Sequence, residues 1–478
     1  MQLAHVSTPL RWILLLAVAG ALAGLTVPLG QTLVPGVGGV AVLAVALAIL
    51  LASIPGGPAI AYFLLFPLAI EVTVNGIGVV SVLLGTLAVS ALLGLLIGSQ
   101  PRTFRLCSLD VAVLATGSAS LLSIAVMGVN APPTGLATYA LDLTTYFVVR
   151  TTIGSRRLLR AALWAFALGG VVSAVTGEVM YGLNLSSVVQ GRLGVPEVGI
   201  NDFAAILTGT LGVTVGLAVR SRWTSRLLLV PMAAVQLAAI ILSESRGAFV
   251  ALVVMLAAGI FLAGYKHRWA SAVMLLGGTA AVWAFFDVPQ AAQAIGLGAA
   301  QARISTILST TTMATSQRVY LWRMAVQAFV DHPLFGVGMG NFTDPTTWYL
   351  LAGQAGAPLI LFAAPGDEHN LYLAYLAELG IVGALLVVAC AVLAFRLVVR
   401  LRSRVELAPI ALALAGFFTA AIFLPLQGES LTFTIPALLP VLQEVSRRRG
   451  AADSAPERGE KGPAPAALPP PSSATPQR

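Results

Sequence analysis

Charged residues are scarce in this chain. Asp, Glu, Lys and Arg together make up 10% of its 478 residues, whereas 58% of the residues are hydrophobic. A soluble domain has about a quarter charged residues, so this composition cannot cover a water-facing surface. It excludes a chain built of one or two soluble domains. Apolar runs separated by short polar segments recur from Trp12 to about Val445 instead, and this pattern predicts many membrane-spanning helices.

Cysteine is also rare, and two well-known catalytic motifs are missing. Cys107 falls in a basic loop and Cys390 in an apolar segment, so neither is placed for a disulfide outside the cell. The chain has no His-Glu-x-x-His zinc motif and no Gly-x-Ser-x-Gly nucleophile elbow, which argues against membrane proteolysis. Asp367, Glu368 and His369 are consecutive, and consecutive side chains rarely point at one centre. We therefore predict neither a metal nor another cofactor.

The apolar runs predict an all-α polytopic membrane protein with about 12–14 spans, each near the roughly 20 residues that cross the hydrocarbon core. The candidate spans are 12–29, 33–52, 58–75, 77–98, 110–129, 134–150, 158–176, 201–219, 226–243, 247–265, 268–287, 369–395, 408–425 and 430–445. They divide the chain into an N-terminal membrane bundle (1–287), a large loop (288–368), C-terminal membrane helices (369–446) and a disordered tail (447–478).

The distribution of basic residues favours one orientation in the membrane. The net charge is +8, but the Lys and Arg residues are not gathered on one module, which argues against a nucleic-acid partner. If the N-terminus is cytoplasmic, nearly all of these residues fall in cytoplasmic loops, as the positive-inside rule requires. We therefore expect a multi-pass membrane protein with both termini in the cytoplasm and the 288–368 loop outside.

A small group of arginines remains on the outer side of the membrane in this orientation: Arg192, Arg246, Arg303, Arg318 and Arg323. A guanidinium group offers paired donors that suit phosphate oxygens, so these residues predict an anion-binding site. The alternative is that they pair with nearby acidic residues.

The outer loop contains a predicted amphipathic helix over 316–330. Its apolar residues recur every three or four positions: Val319, Trp322, Val326 and Phe329. This stripe predicts a helix that lies in the membrane interface, and His332-Pro333 ends it. The glycine-rich segment 336–341 lacks the Gly-Lys-Ser/Thr sequence of a nucleotide loop, so its glycines predict a tight turn near a ligand or the bilayer.

His369 is the candidate general base. It opens the predicted span 369–395 directly after Asp367 and Glu368, and Asp367 is a candidate N-cap. A helix N-terminus disfavours the imidazolium and the carboxylates favour it, so we expect this histidine to titrate near neutrality. That property suits a base that takes a proton from an acceptor hydroxyl. The alternative is that His369 only caps the helix.

Three carboxylates lie inside predicted spans, at Glu71, Asp142 and Glu378. Intramembrane carboxylates often mark functional sites. They can equally pair inside the bundle or form a proton relay in a transporter, and the sequence leaves these alternatives open.

Four motifs occur in order along the chain. They are Gly191-Arg192-Leu193 followed by Asn201-Asp202, Ser243-Glu244-Ser245-Arg246-Gly247, Arg318-Val319-Tyr320-Leu321-Trp322 leading to His332-Pro333-Leu334-Phe335-Gly336-Val337-Gly338, and His369-Asn370 with Gly380 after nine further residues. Together with the predicted spans, they resemble the O-antigen ligase and polymerase family of bacterial envelope glycosyltransferases. One motif departs from the family, because Asn201-Asp202 stands where the family often has Asn-Pro-Asn.

The resemblance implies a C-type membrane glycosyltransferase that is inverting and independent of metal. Its donor is a glycan on a polyprenyl diphosphate at the outer face of the membrane, and its acceptor is a glycan or a lipid-anchored molecule. Residue by residue, it implies that Arg192, Arg246 and Arg318 hold the diphosphate and that His369 activates the acceptor. Four further residues receive supporting roles: Arg323, Asn201, Asn370 and Glu378.

Two other function classes remain as alternatives. A secondary transporter or flippase of envelope precursors fits the hydropathy, but such proteins tend to show two related halves, and no internal repeat is visible here. A membrane scaffold fits less well, because it does not explain the outer arginines. Ligation and polymerisation use the same chemistry on different acceptors, so the sequence does not separate them.

Overall fold

The computed structural model of the chain describes residues 37–68, 73–74, 77–99, 105–128, 133–183, 192–195, 198–262, 313–362, 364–424 and 431–453. Within these ranges the protein is helical. The helices are α1 (Val37–Ser53), α2 (Gly57–Leu65), α3 (Val79–Ile97), α4 (Ser108–Met127), α5 (Pro133–Thr152), α6 (Arg156–Gly182), α7 (Ile200–Arg220), α8 (Trp223–Leu242), α9 (Arg246–Leu262), α10 (Met313–Asp331), α11 (Pro345–Gln354), α12 (Leu371–Arg400), α13 (Leu407–Ala420) and α14 (Leu431–Asp453). A hairpin of two short strands, β1 (Thr73–Val74) and β2 (Ile77–Gly78), precedes α3.

The predicted class of an all-α polytopic membrane protein is confirmed. Five of the described helices are long and apolar enough to cross a bilayer, namely α4, α6, α7, α8 and α12. Most predicted spans in the described ranges coincide with a helix. The predicted span 58–75 is wrong in its second half: α2 ends at Leu65, a 3₁₀ turn follows at Phe66–Leu68, and β1 begins at Thr73, because Pro67 lacks the backbone N–H that would continue the helix. The predicted spans 12–29 and 268–287 lie outside the described residues. The total of about 12–14 spans remains a prediction based on hydropathy.

Helix α7 lies at the centre of the bundle and packs closely on α13. A Cβ atom added at Gly216 would lie 2.3 Å from Cα of Pro409, and one added at Gly212 would lie 2.6 Å from the backbone nitrogen of Ala413. These glycines, four positions apart, allow the two backbones to approach, as small residues do between membrane helices.

Polar side chains also join helices inside the bundle. Gln236 of α8 donates to the Ala167 carbonyl at 3.1 Å and to the Thr214 hydroxyl at 3.0 Å, and it accepts from Thr210 at 3.1 Å. Arg150 of α5 forms a buried bidentate pair with Asp110 of α4, with both N–O distances at 2.8 Å. Such groups need partners, because an unpaired polar group away from water is costly.

Helix α10 confirms the predicted amphipathic helix and shows a second face. Val319 and Val326 of the predicted stripe are exposed, whereas a different set of side chains is buried: Leu321, Met324, Ala325 and Ala328. This buried face packs against α11 and α12. The sequence analysis missed this face because two of its four residues are alanines, which stand out little in an apolar stripe.

Two predicted boundaries differ from the structure. Asp367 is not the N-cap of the long C-terminal helix; Asn370 caps α12, and its side-chain oxygen accepts from the backbone N–H groups of Tyr372 and Leu373 at 3.0 and 3.1 Å. His369 therefore precedes the helix rather than opening it. Helix α14 continues to Asp453, past the predicted end of the membrane segment at 446, and the rest of the tail lies outside the described residues.

Candidate active site

Arg192 is held against the C-terminal end of α8. Its Nε donates to the carbonyl oxygen of Ser243 at 2.9 Å, and its Nη2 donates to Oδ1 of Asn201, at the start of α7, at 3.4 Å. The backbone N–H of Leu193 also bonds the carbonyl oxygen of Leu242 at 3.0 Å. The last carbonyls of a helix lack partners within it, so this segment satisfies them and fixes the guanidinium in place.

The Ser-x-Ser-Arg motif forms the sharp turn between α8 and α9. Ser243 donates from its hydroxyl to Ile240 at 2.7 Å and accepts from the backbone N–H of Ser245 at 3.3 Å. Glu244 between them has a φ of 53° and is buried. A non-glycine residue rarely adopts this left-handed conformation, and such strain clusters at functional sites. The turn places Arg246 at the first position of α9.

These segments surround one polar cavity of about 140 Å³. Arg192, Arg246 and Arg318 all line it, together with Asn201, and Phe423 and Leu424 after α13 close one side. The three arginines come from separate parts of the chain and converge here, as the sequence analysis predicted for an anion site. The cavity also brings in Glu244, which lies inside the Ser-x-Ser-Arg motif but was given no role from the sequence, and Phe423 and Leu424, which no motif marks.

The arginines experience one another's charge. Burial lowers the pKa of the Arg318 guanidinium, and the neighbouring Arg246 lowers it further, whereas Asp202 and Asp367 raise it. Two like charges that lie close together disfavour each other's ionised form. A bound anion relieves that repulsion, so the cavity is electrostatically suited to a phosphate or diphosphate group.

His369 does not line this cavity, but it is close enough to Arg318, which does, to feel its charge. Its Nδ1 is 3.1 Å from Oδ1 of Asp367, and both side chains are about two-fifths exposed, at 41% and 38%. Burial lowers the pKa of the imidazole, the Asp367 carboxylate raises it, and the Arg318 charge lowers it again, with a net result below the usual range. The histidine is therefore mainly neutral at pH 7 and able to accept a proton.

Glu368, which no motif singled out, is fully buried next to His369. Burial raises the pKa of its carboxyl group well above the usual range, and the Glu378 carboxylate adds to this effect. A neutral Glu368 leaves Asp367 as the carboxylate that faces the imidazole. A Glu next to a candidate base does not by itself mark a site residue in a sequence, because its burial depends on the tertiary fold.

The other predicted site residues lie outside the cavity lining. Arg323 is exposed on α10, with its guanidinium carbon 5.6 Å from the centre of the Tyr320 ring. Asn370 caps α12, and Glu378 accepts a hydrogen bond from the backbone N–H of Phe342 at 3.4 Å. Asn370 thus fixes the start of the helix that follows His369, whereas Glu378 holds the backbone at Phe342. Arg303, Gly191 and Glu71 lie outside the described residues.

Helix α12 is broken at Gly380, and the glycine-rich loop packs into the break. Gly380 has a φ of 63°, and Ile381 donates from its backbone N–H to the carbonyl oxygen of Pro333 at 2.8 Å. In return, Val337 and Gly338 donate to the carbonyl oxygens of Ala377 and Glu378 at 2.9 and 3.2 Å. The predicted tight turn is confirmed, and its contact is the backbone of α12. The two last motifs thus form one structural unit that supports the segment carrying His369.

Comparison with protein families gives a match over part of the chain. Residues 231–388, about a third of the chain, match the family described as O-antigen ligase. The matched segment contains Arg246, Arg318 and His369, together with the loop that packs against Gly380. No curated protein matches the chain.

Proposed function

We propose, on the premise that this chain belongs to the O-antigen ligase family, that it transfers a glycan from polyprenyl diphosphate to an acceptor hydroxyl in cell-surface polysaccharide biosynthesis. The acceptor is a growing glycan or a lipid-anchored molecule. The observation that carries the proposal is the convergence of Arg192, Arg246 and Arg318 on one cavity, with His369 within electrostatic range of Arg318.

The arginines act on the donor. When the bond between the anomeric carbon and the diphosphate oxygen breaks, negative charge develops on the leaving diphosphate. Guanidinium groups fixed by Ser243, Asn201 and the N-terminus of α9 stabilise that charge without moving. Arginine provides paired donors for phosphate oxygens, so three arginines supply this stabilisation without a metal ion.

His369 acts on the acceptor. Because Nδ1 lies against Asp367, Nε2 is the nitrogen that takes the proton of the attacking hydroxyl. The acceptor oxygen then attacks the anomeric carbon from the face opposite the diphosphate, and the electron pair of the broken bond leaves with the diphosphate. One displacement of this kind inverts the anomeric configuration.

The arginine cavity faces the outside of the cytoplasmic membrane in this proposal. The end of α13 at Glu406 carries a larger group of basic residues: Arg156, Arg160, Arg404 and Arg448. The arginine cavity lies at the opposite end of α13, at Ala420 and Phe423. The larger basic group belongs on the cytoplasmic side by the positive-inside rule. Both termini are then cytoplasmic, and the 288–368 loop is extracytoplasmic.

The test is a transfer assay with purified protein in vesicles that contain a glycan on polyprenyl diphosphate. His369→Ala removes a general base, and we expect activity to fall by about 10²–10⁴-fold. Arg246→Ala removes a leaving-group contact, and we expect a loss of about 10²–10³-fold. The readout is the formation of longer chains or of a glycan on an acceptor lipid.

Arg396→Ala is the matched control, because Arg396 is exposed at the far end of α12. Arg396→Ala removes one positive charge, as Arg246→Ala does, and it should retain activity. Full activity in His369→Ala and Arg246→Ala contradicts the proposal. Accumulation of substrate inside sealed vesicles without any new glycosidic product favours a transporter instead.

A further inference from the structure

A second polar cavity, of about 320 Å³, lies at the other end of α13. It is lined by Arg156, Arg404, Glu406 and Arg448, with hydroxyl groups from Ser155 and Ser446. Glu406 precedes the first residue of α13, whereas the arginine cavity contacts the helix at Ala420. An α-helix rises 1.5 Å per residue, so the two cavities are separated by about 20 Å and form distinct sites.

The one carboxylate that lines this cavity is already paired. Glu406 accepts hydrogen bonds from Nη2 of Arg156 at 2.8 Å and from Nε of Arg160 at 3.1 Å. Burial raises the pKa of Glu406, but the hydrogen bonds from these arginines lower it below the usual range, so the carboxylate stays ionised. Both of its oxygen atoms are engaged, so Glu406 has little capacity to neutralise further cations.

Two more arginines reach the cavity from the other side. Arg448 donates from Nε to Glu444 at 3.2 Å and from Nη1 to the carbonyl oxygen of Gly154 at 3.3 Å, which holds its guanidinium at the cavity wall. Arg404 lines the cavity, and its side chain forms no ion pair within the described ranges. Ser155 is the N-cap of α6, so the positive end of that helix dipole also lies here.

The positive groups at this site therefore exceed the negative ones. Arg156, Arg160, Arg404 and Arg448 face Glu406 and Glu444. Leu442 and Val445 of α14 add an apolar wall to the same cavity. A site with guanidinium groups, hydroxyls and an apolar wall at the end of a membrane bundle suits a phosphate that is attached to a lipid.

We propose that this cavity binds the phosphate of an anionic phospholipid headgroup from the leaflet at that end of the bundle. Arg404 is the residue that contacts the phosphate without a protein partner, while Arg156 and Arg448 form the walls. The site is separate from the proposed catalytic cavity, so it stands whether or not the glycosyl-transfer proposal holds.

The test is a titration of the full-length protein with phosphatidylglycerol and with phosphatidylcholine, followed by native mass spectrometry. We expect phosphatidylglycerol to bind in preference to phosphatidylcholine. Arg404→Gln removes a charge-assisted hydrogen bond and should weaken phosphatidylglycerol binding by roughly tenfold. The Arg404 side chain has no partner among the described residues, so this variant should fold normally.

Arg402→Gln is the matched control, because Arg402 is exposed in the same turn but does not line the cavity. It should leave the affinity within about twofold of the wild type, whereas a general loss of surface charge would weaken both variants equally. Equal loss in both variants, or equal binding of the two lipids, overturns the proposal. Inorganic phosphate is a further arm: Arg404-dependent binding of phosphate that phosphatidylglycerol does not displace overturns the lipid assignment.

Discussion

The charges around His369 act on its pKa in opposite directions. Nδ1 of the imidazole lies 3.1 Å from Asp367, which favours the protonated ring, while burial and Arg318 favour the neutral ring. The net lowering of the pKa keeps the ring neutral at pH 7. At the scale of single residues, Asp367 is therefore a positioning residue that tunes the proposed base.

Asp367→Asn should move the acid limb of the pH–rate profile to lower pH. The carboxylate raises the pKa of His369, so its removal lowers that pKa further. A general base works in its neutral form, and the rate falls as the pH drops through its pKa. The measurement is kcat/KM for glycan transfer as a function of pH.

Asp331→Asn is the control for this prediction, because Asp331 is an exposed carboxylate at the end of α10 and does not act on His369. Its profile should coincide with that of the wild type. An acid limb that stays in place or moves to higher pH in Asp367→Asn shows that His369 is not the group that titrates.

The sequence singles out three arginines that the structure brings to one cavity, but it does not predict their backbone setting. Arg192, Arg246 and Arg318 stand out in the sequence because arginine is unusual on the side of the membrane where the predicted orientation places them. Asn370 did not stand out as a cap, because the four consecutive residues Asp367 to Asn370 are all polar. The left-handed φ of Glu244 has no sequence signal, since it results from the packing of α8, α9 and the Arg192 segment.

At the scale of elements, the break in α12 is the feature that brings two motifs together. Gly380 has φ 63° and ψ −152°, a conformation that is essentially restricted to glycine. A Cβ atom there would lie 2.6 Å from the carbonyl carbon of Leu334. Hydropathy predicts a single continuous span here, because a glycine in an apolar run does not by itself end a helix. The partner that makes the break favourable is the loop from Pro333 to Gly338.

Gly380→Ala should destabilise the protein by about 1–3 kcal/mol, because alanine is strained in this conformation and its Cβ collides with the loop. Glycan transfer should fall as well, because the segment before α12 carries His369. The measurements are thermal unfolding in detergent and the transfer rate.

Gly353→Ala provides the comparison within α11, where an added Cβ meets nothing within 4 Å. Its stability should change by less than about 0.5 kcal/mol, as is usual for surface substitutions. If both alanine variants unfold at the wild-type temperature, the loop does not depend on the conformation of Gly380.

At the scale of the whole molecule, two arginine-rich cavities occupy opposite ends of α13. The Arg192, Arg246 and Arg318 cavity lies at one end, and the cavity with Arg404 and Arg448 lies at the other. Hydropathy and charge predict that two such groups exist on opposite sides. They do not explain how residues 192, 246 and 318 come together, because that depends on the close packing of α7 on α13 and of α9 on α13.

The sidedness can be tested with single cysteines in a chain whose Cys107 and Cys390 are replaced by serine. Tyr349 is exposed on α11 in the predicted outer loop, and Arg402 is exposed at the other end of the bundle. Tyr349→Cys should react with a membrane-impermeant maleimide in intact cells. Arg402→Cys should react only after the membrane is permeabilised. The reverse pattern contradicts the orientation proposed for the active site.

In the proposed reaction, the arginines hold the diphosphate and the histidine performs the proton transfer. The most direct measurement is the binding of radiolabelled polyprenyl diphosphate to purified protein in nanodiscs. His369→Ala should bind it within about twofold of the wild type, whereas Arg246→Ala should bind it at least roughly tenfold more weakly. Wild-type affinity in Arg246→Ala, or loss of binding in His369→Ala alone, contradicts this division of roles.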